Sequence, residues 1–373
     1  VDRRDEAFAF ADEIGPAKVI HVYEPSIELR GTLVVDNVAA GPSIGGTRMA
    51  PDVSTEECFR LARSMTMKNA AAGLPHGGGK SVLYGDPAMP TERKEELIRG
   101  FAYALRNETD YIFGPDMGTD ENCMAWVRDE IGRAVGLPRE LGGIPLDELG
   151  ATGYGLRYAA EVAADHLGFE LAGARVVVQG FGAVGMHAAR FLAEQGCSIV
   201  AASDSRGGVA SRQGLDVAAL IAHKRAGQAL KDFSGGEPIA GDEMLALECE
   251  IWIPAARPDV IDDDNADRLR ARAVVPGANI PMTTGAEKTL HARGILCVPD
   301  FIANAGGVIC AAMEYHGATQ RGAFDAIEER IRDNTRAVLD AVQRNQELPS
   351  EAARELALQR VRSAMKSRRW SIY

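Results

Sequence analysis

The sequence predicts an α/β protein of two domains, the second built on a doubly wound sheet, and three observations predict it. At 373 residues the chain exceeds one ordinary domain. Between residues 136 and 155 it turns rich in Gly and Pro (Gly142, Gly143, Pro145, Gly150, Gly153), a composition suited to a hinge, which puts a boundary near Leu149. Beyond that boundary, apolar strand signals alternate with helical ones, as βαβ units require.

Upstream of the boundary, apolar residues of 55–72 recur at helical spacing (Cys58, Leu61, Ala62, Met65), with Ser54 or Thr55 to cap the start and Gly73 to end it. A Gly-rich loop over 74–79 follows, then a short strand over 81–84 with Lys80 at its entrance. A second helix is expected over 92–106, and 111–118 reads as a strand breaking into a turn at Asp116. Downstream, a helix over 156–167 precedes the apolar run 174–179, of the kind buried in a parallel sheet. Further strands are expected at 198–203, 251–253, 273–275 and 295–298, with a helix over 215–223. The long helical pattern 324–345 is expected to return to the first domain.

Gly180-Phe181-Gly182-Ala183-Val184-Gly185 is a GxGxxG between the strand at 174–179 and a helix at 184–195. In that context the first Gly permits a tight turn, the second lets backbone approach a pyrophosphate, and the third lets helix and strand pack closely. The helix N-terminus favours the anion. Asp204 closes the next strand where an acidic residue meets an adenosine ribose, which favours NAD, while Arg206 could hold a 2′-phosphate and so admit NADP. The second domain is therefore expected to be a Rossmann-type dinucleotide-binding domain.

Composition narrows the partners. A formal net charge of −12 repels phosphate backbones and anionic lipid, so neither nucleic acid nor membrane is expected. The six cysteines include no CxxC pair and the seven histidines no HExxH, so no disulfide framework and no metal site are expected. Val1 leads directly into the charged stretch DRRDE, and no run is long and apolar enough to span a bilayer; a soluble cytoplasmic protein is the expectation. Asp262-Asp263-Asp264 and Lys366-Ser367-Arg368-Arg369 read as solvated surface or helix ends.

The segment LPHGGGKSVLYGDP at residues 74–87 resembles the active-site signature of the glutamate/leucine/phenylalanine/valine dehydrogenase family. Gly45-Gly46-Thr47-Arg48-Met49, Met67-Lys68-Asn69-Ala70-Ala71-Ala72-Gly73, Gly114-Pro115-Asp116-Met117-Gly118-Thr119, Ala151-Thr152-Gly153-Tyr154-Gly155, Pro276-Gly277-Ala278-Asn279 and Asn304-Ala305-Gly306-Gly307-Val308 resemble further family blocks in family order. The resemblance covers most of the chain. It implies an N-terminal α/β substrate-binding and catalytic domain over 1–148, joined by C-terminal helices over about 320–373, a dinucleotide-binding domain over 149–319, and an active site in the cleft between them. It also implies a homo-oligomer, hexamer or octamer.

Oxidising an amino acid requires holding its carboxylate, moving a proton from its amine, expelling hydride and activating water. By resemblance, Lys68 would bind the α-carboxylate, Lys80 would act as general base toward water, and Asp116 would exchange protons with the amine or imine. An ammonium normally titrates near ~10.4, and a closed cleft with a neighbouring cation can lower it toward roughly 7 to 8. Gly46 and the run Gly77, Gly78 and Gly79 would let backbone crowd the substrate. Thr152 and Asn279 would lie near the nicotinamide, and Asn304 near the substrate.

Glutamate-specific relatives place a lysine just before the Gly-Gly pair and a serine after the Asn-Ala-Gly-Gly block; here those positions are Ile44 and Ala311. Burying a substrate carboxylate against them would leave a charge unpaired, at a cost of several kcal/mol. The expected reaction is reversible NAD-dependent oxidative deamination of an apolar L-amino acid of the leucine, valine or phenylalanine type to its 2-oxo acid and ammonium. The GPDMGTD segment and Met124-Ala125-Trp126 instead look like the glutamate branch, so glutamate dehydrogenase is the alternative. A silent nucleotide-binding regulatory homologue, or a Rossmann oxidoreductase acting on an alcohol or hydroxy acid, stands further off.

Overall fold

The computed structural model describes residues 8–368; the charged stretch at 1–7 and Arg369 lie outside the described residues. The chain divides into two compact units, one comprising residues up to Pro145 together with Val308–Ala323 and the segment from Arg354, the other Leu146–Gly307 and Phe324–Ala353.

In the first unit the elements run β1 (Lys18–Glu24), β2 (Leu29–Asn37), β3 (Ser43–Ala50), α1 (Thr55–Ala71), β4 (Gly77–Tyr84), α2 (Thr91–Ala104), β5 (Tyr111–Pro115) and α3 (Glu121–Ile131). They form a five-stranded sheet of order β1-β2-β4-β3-β5, antiparallel through β1, β2 and β4 and parallel through β4, β3 and β5. The period-two alternation of a strand divides the apolar residues between two faces. Leu33, Val35 and Leu83 enter a core with Leu97 and Phe101 of α2 and Met124 and Val127 of α3, whereas Val34 and Val82 turn to Cys58 and Ala62 of α1. Ser54 caps α1 as its spacing predicts, its side chain accepting from the amide of Glu57 at 3.1 Å.

β4 begins earlier than expected. Gly77, Gly78 and Gly79 are paired strand residues, so Lys80 sits in mid-strand rather than at its entrance. Their missing side chains allow close packing. A β-carbon on Gly78 would stand 1.9 Å from the backbone nitrogen of Thr66 in α1, and one on Gly77 1.6 Å from the carbonyl oxygen of Asn37 in β2.

The second unit opens with α4 (Leu146–Leu149) and α5 (Ala151–Leu167), then alternates β6 (Arg175–Gln179), α6 (Ala183–Ala193), β7 (Ser198–Asp204), β8 (Gly207–Ala210), α7 (Val217–Arg225), β9 (Glu237–Ile239), β10 (Ile251–Pro254), β11 (Ala273–Val274), α8 (Thr284–Ala292), β12 (Leu296–Cys297) and α9 (Asp300–Ala303). The sheet order is β12-β11-β10-β6-β7-β8-β9, parallel from β12 to β7, with β8 and β9 added antiparallel at one edge. Val177, Trp252 and Val274 carry its core on one face, with Leu269, Ala286 and Leu290 packed against them. Part of the Gly-rich hinge stretch is helical, because Gly153 and Gly155 lie inside α5 and are buried there.

Three helices follow: α10 (Gly306–Tyr315), α11 (Gln320–Asn345) and α12 (Pro349–Lys366). The sequence-based division does not anticipate how they are shared. Phe324–Ala353 clusters with the second unit, where Arg332 of α11 pairs with Glu161 of α5 at 2.7 Å and Tyr158 donates to Glu328 at 2.7 Å. The segment from Arg354 clusters with the first, where Arg360 donates to the carbonyl oxygens of Ala70 and Ala71 at the end of α1. Among the described residues no helix is long and apolar enough to cross a membrane, and the six cysteines are buried and form no disulfide.

The packing role of Gly78 is testable. Gly78→Ala drives a β-carbon into the α1 backbone, an overpacking worth roughly 1–3 kcal/mol or more, read as a lower denaturation midpoint. An unchanged midpoint with a raised KM would show instead that Gly78 makes room for substrate.

Candidate active site

Lys80 and Asp116 come together in the first unit. The Lys80 ammonium lies 2.7 Å from Oδ2 of Asp116; its side chain is only 7% exposed, that of Asp116 25%. Strand register explains the placement. Parallel pairing sets Ile44 of β3 beside Gly78 of β4 and Thr47 beside Ser81, so Gly46 lies beside Lys80. Paired residues of neighbouring strands share a face, and Ile44, Gly46 and Arg48 therefore stand on the face that carries Gly78 and Lys80. A β-carbon on Gly46 would lie 2.8 Å from Cβ of Asp116 and 3.0 Å from Nζ of Lys80. Only glycine leaves that space.

Asp116 sits where β5 breaks, in a turn built by the residues after it. Its amide donates to the Thr119 hydroxyl at 3.0 Å, that hydroxyl donates to the carbonyl of Thr47 at 2.7 Å, and the Met49 amide donates to the carbonyl of Met117 at 2.9 Å. Gly118 adopts φ +83°, and a β-carbon there would stand 2.1 Å from the Met49 carbonyl oxygen. The turn is thus locked along β3. Sequence reasoning assigned no role to Arg48, which donates from Nε to the same Oδ2 of Asp116 at 3.0 Å and from its guanidinium to Glu57 at 2.6 Å. The only sequence signal was its place in the block with Gly45 and Gly46. Burial opposes the charge of Asp116, but the Lys80 ammonium, and after it Arg48 and the Met117 amide, outweigh that and hold its carboxyl below the usual carboxylate range.

The other candidates of this unit are placed less closely. Lys68 is half-buried in the last turn of α1, Ile44 is buried, and Ala311 is half-buried in α10.

In the second unit the three glycines of the GxGxxG behave as that motif requires. Gly180 has φ +93° and would strike Ala255 and Ala256 at 2.6 Å if it carried a side chain; Gly185 would strike the Gly180 carbonyl oxygen at 1.9 Å. Gly182 faces open space and caps α6 without a side-chain hydrogen bond. Amides of an uncapped helix start beside a side-chain-free approach fit a pyrophosphate. Ala183 and Val184 form the first turn of that helix, and Val184 packs toward Gly277, where a β-carbon would lie 2.8 Å from it.

Asp204 ends β7 but does not stand alone. Lys224 of α7 lies 2.5 Å from its Oδ2, the Arg206 amide donates to Oδ1 at 2.8 Å, and the Arg206 guanidinium lies at 3.7 Å. Burial raises its pKa, but the Lys224 hydrogen bond leads the opposing contacts and the balance is lowered. Lys224 was missed because twenty residues of chain separate it from Asp204.

Asn304 donates to Oδ1 of Asn279 at 3.0 Å and to the Ala278 carbonyl at 3.2 Å, so the two asparagines form one cluster of the second unit. Thr152 lies in the first turn of α5, its hydroxyl 3.3 Å from where Gly307 would carry a side chain. Beside Asn279 the β-branched Ile280 adopts φ +48° and is 64% exposed. Such strain persists where surroundings enforce it, here through the Ile280 amide donating to Asp300 at 2.6 Å.

A buried lysine–aspartate pair on one sheet and a mostly parallel α/β unit with an open glycine-rich helix start fit a nucleotide-linked enzyme. Comparison with known proteins specifies it further. Residues 142–369 match the family model described as Glutamate/Leucine/Phenylalanine/Valine dehydrogenase, and residues 20–133 match the Glu/Leu/Phe/Val dehydrogenase, dimerisation domain. The chain is 38% identical to glutamate dehydrogenase of Aeropyrum pernix over 90% of its own length and 85% of that protein's. It is 37% identical to NADP(+)-dependent glutamate dehydrogenase of Pyrobaculum calidifontis over 95% of its own length and 92% of that protein's. The crystal structure of hetero-hexameric glutamate dehydrogenase from Thermus thermophilus (Leu bound form) superposes with a TM-score of 0.82 at 31% identity, covering 94% of this chain and 90% of that one. The chain belongs to the Glu/Leu/Phe/Val dehydrogenase family, and it is an NAD(P)-dependent amino-acid dehydrogenase, an oxidoreductase acting on CH–NH2 groups.

The Asp204 cluster yields a prediction about the cofactor. With Lys224 and Arg206 neutralising the carboxylate, a 2′-phosphate meets two cations; Lys224→Ala leaves Asp204 less compensated against that phosphate. Removing a charged hydrogen bond costs about 1.5–3 kcal/mol, so the ratio of KM for NADP to KM for NAD rises roughly tenfold or more. Steady-state kinetics with both cofactors reads this, and an unchanged ratio would place the 2′-phosphate elsewhere.

Proposed function

We propose that the chain catalyses reversible oxidative deamination of an L-amino acid with an apolar side chain, giving the 2-oxo acid and ammonium. The observation that carries this reading is Ile44, 5% exposed, two residues from Gly46 on the sheet face of Lys80, at the position where glutamate-specific relatives carry a lysine. An aliphatic side chain there offers apolar contact and no counter-charge. A second reading, glutamate dehydrogenation, is favoured by the names of the relatives above, and on those names it is the better supported of the two.

In either reading the residues act alike. Lys68 holds the α-carboxylate, and Lys80 takes the proton of the attacking water once its own proton has left. Asp116, held ionised by Lys80 and Arg48, exchanges a proton with the substrate nitrogen. The open backbone at Gly180, Gly182 and Gly185, with the first turn at Ala183 and Val184, would hold the pyrophosphate of NAD(P), which when bound would supply the hydride acceptor. Thr152 and Asn279 would flank the nicotinamide, and Asn304 donates to Asn279 at 3.0 Å. Burial of Lys80 restricts its exchange with bulk water and favours directed proton transfer. We also propose a homo-oligomer, a hexamer or octamer, supported by the match to a dimerisation domain and by the hexameric dehydrogenase it resembles.

Cofactor reduction by the purified chain against a panel of L-amino acids, with NAD and with NADP, tests the assignment. Turnover of leucine, valine or phenylalanine above glutamate supports the apolar reading, and preferred glutamate turnover replaces it with the second. Lys80→Ala is expected to lower kcat by roughly 10²–10⁴-fold, the usual contribution of acid–base catalysis. Ile44→Lys should shift preference toward glutamate. Silence across the panel with both cofactors would favour a regulatory homologue.

A further inference from the structure

We infer that Arg48 is a positioning residue which, balanced by Glu57, sets the proton distribution of the Lys80–Asp116 pair. The inference rests on the roles proposed above for those two residues.

Arg48 and Lys80 donate to the same oxygen, Oδ2 of Asp116, at 3.0 and 2.7 Å. The two cations differ in kind. An ammonium can give up its proton in a cleft, whereas a guanidinium stays charged at any working pH. When Lys80 is neutral and engaged with water, Asp116 has lost that counter-ion; Arg48 still holds the oxygen, so the carboxylate stays ionised and oriented toward the substrate nitrogen. The other end of Arg48 is tied to Glu57 in the first turn of α1 at 2.6 Å, which withdraws part of its charge and fixes the direction of the guanidinium.

Two neutral titratable groups beside the pair are Cys58 of α1, whose thiol donates to the Lys80 carbonyl oxygen at 3.2 Å, and Tyr111 of β5, whose hydroxyl donates to the carbonyl of Gly45 at 2.8 Å. Burial pushes the Cys58 thiol up to about 12 and the Tyr111 hydroxyl higher, so both stay neutral across the working range. The charged groups joined directly to one another here are thus the row Glu57, Arg48, Asp116 and Lys80, with Lys68 of α1 a further cation of the proposed site.

The test is the pH dependence of kcat/KM for amino-acid oxidation in Arg48→Gln, Arg48→Lys and Glu57→Gln. Removing a fixed positive charge makes Asp116 harder to deprotonate, so Arg48→Gln moves the acidic limb to higher pH by about one unit. Arg48→Lys keeps the charge without the two-carboxylate fork and returns part of that shift. Glu57→Gln frees Arg48 for Asp116 and moves the limb to lower pH, by less because Glu57 is 35% exposed. A purely structural role would change stability and leave the limb in place. Unmoved limbs in both Arg48→Gln and Glu57→Gln, with Lys80→Ala inactive, overturn the inference alone; full turnover by Lys80→Ala overturns the reading beneath it. If Arg48→Gln does not fold, the direction of the Glu57→Gln shift decides.

Discussion

The carboxylate oxygen shared by Lys80 and Arg48 exists because two glycines remove side chains from one face of a sheet. Without Gly46 there is no volume for Asp116 to meet Nζ of Lys80, and without Gly78 the helix α1 cannot lie against β4. Both residues lie on the same face, two residues apart in the register of the paired strands, so close helix packing and the ionic contact are consequences of one arrangement. The α1 helix in turn brings Glu57 to Arg48. Core packing and site chemistry share residues here, which is why a one-carbon change can damage both.

Electrostatics gives that arrangement its chemical character. A lysine this buried is tolerated when it is paired, and its partner is itself tied down on the other side by an arginine. The turn holding Asp116 is fixed by Thr119 and by β3 rather than by the carboxylate, so the backbone stays in place while protons move. Preorganisation of this kind puts the cost of orienting charges into folding and not into each turnover.

The second unit solves a different problem with the same means. Gly180 and Gly185 are needed for backbone to meet backbone, and Gly182 for space that protein atoms do not fill. Asp204 ends β7, and Lys224 and Arg206 surround it, so one carboxylate and two cations are gathered at that strand end. Substrate choice is as local. Relatives named for glutamate share over a third of their residues with this chain, while the residue beside the Gly-Gly pair is an isoleucine.

Patterns short in sequence are legible from residue type and spacing alone. Helical spacing and the Ser54 cap place α1 to within a residue, the strand–GxGxxG–helix order points to the nucleotide fold, and Asp116 falls at the strand break where the turn composition puts it. The strands β1, β2 and β3 went unread, since β1 is a largely solvent-facing edge strand and β3 carries glycines where alternation would show. Glycines between 77 and 79 read as a loop, because a glycine run has the same composition whether it turns or lies beneath a helix. By itself the sequence determined the two-domain α/β class and the family, which show in residue type and near spacing, and through the family resemblance it singled out Lys80 and Asp116, which the fold brings into contact. Only the tertiary structure decided that Arg48 and Glu57 belong to that pair, that Lys224 guards Asp204, and that α11 and α12 are shared between the units. Each of those depends on contacts between residues far apart in the chain, which the folded backbone creates and local periodicity cannot express.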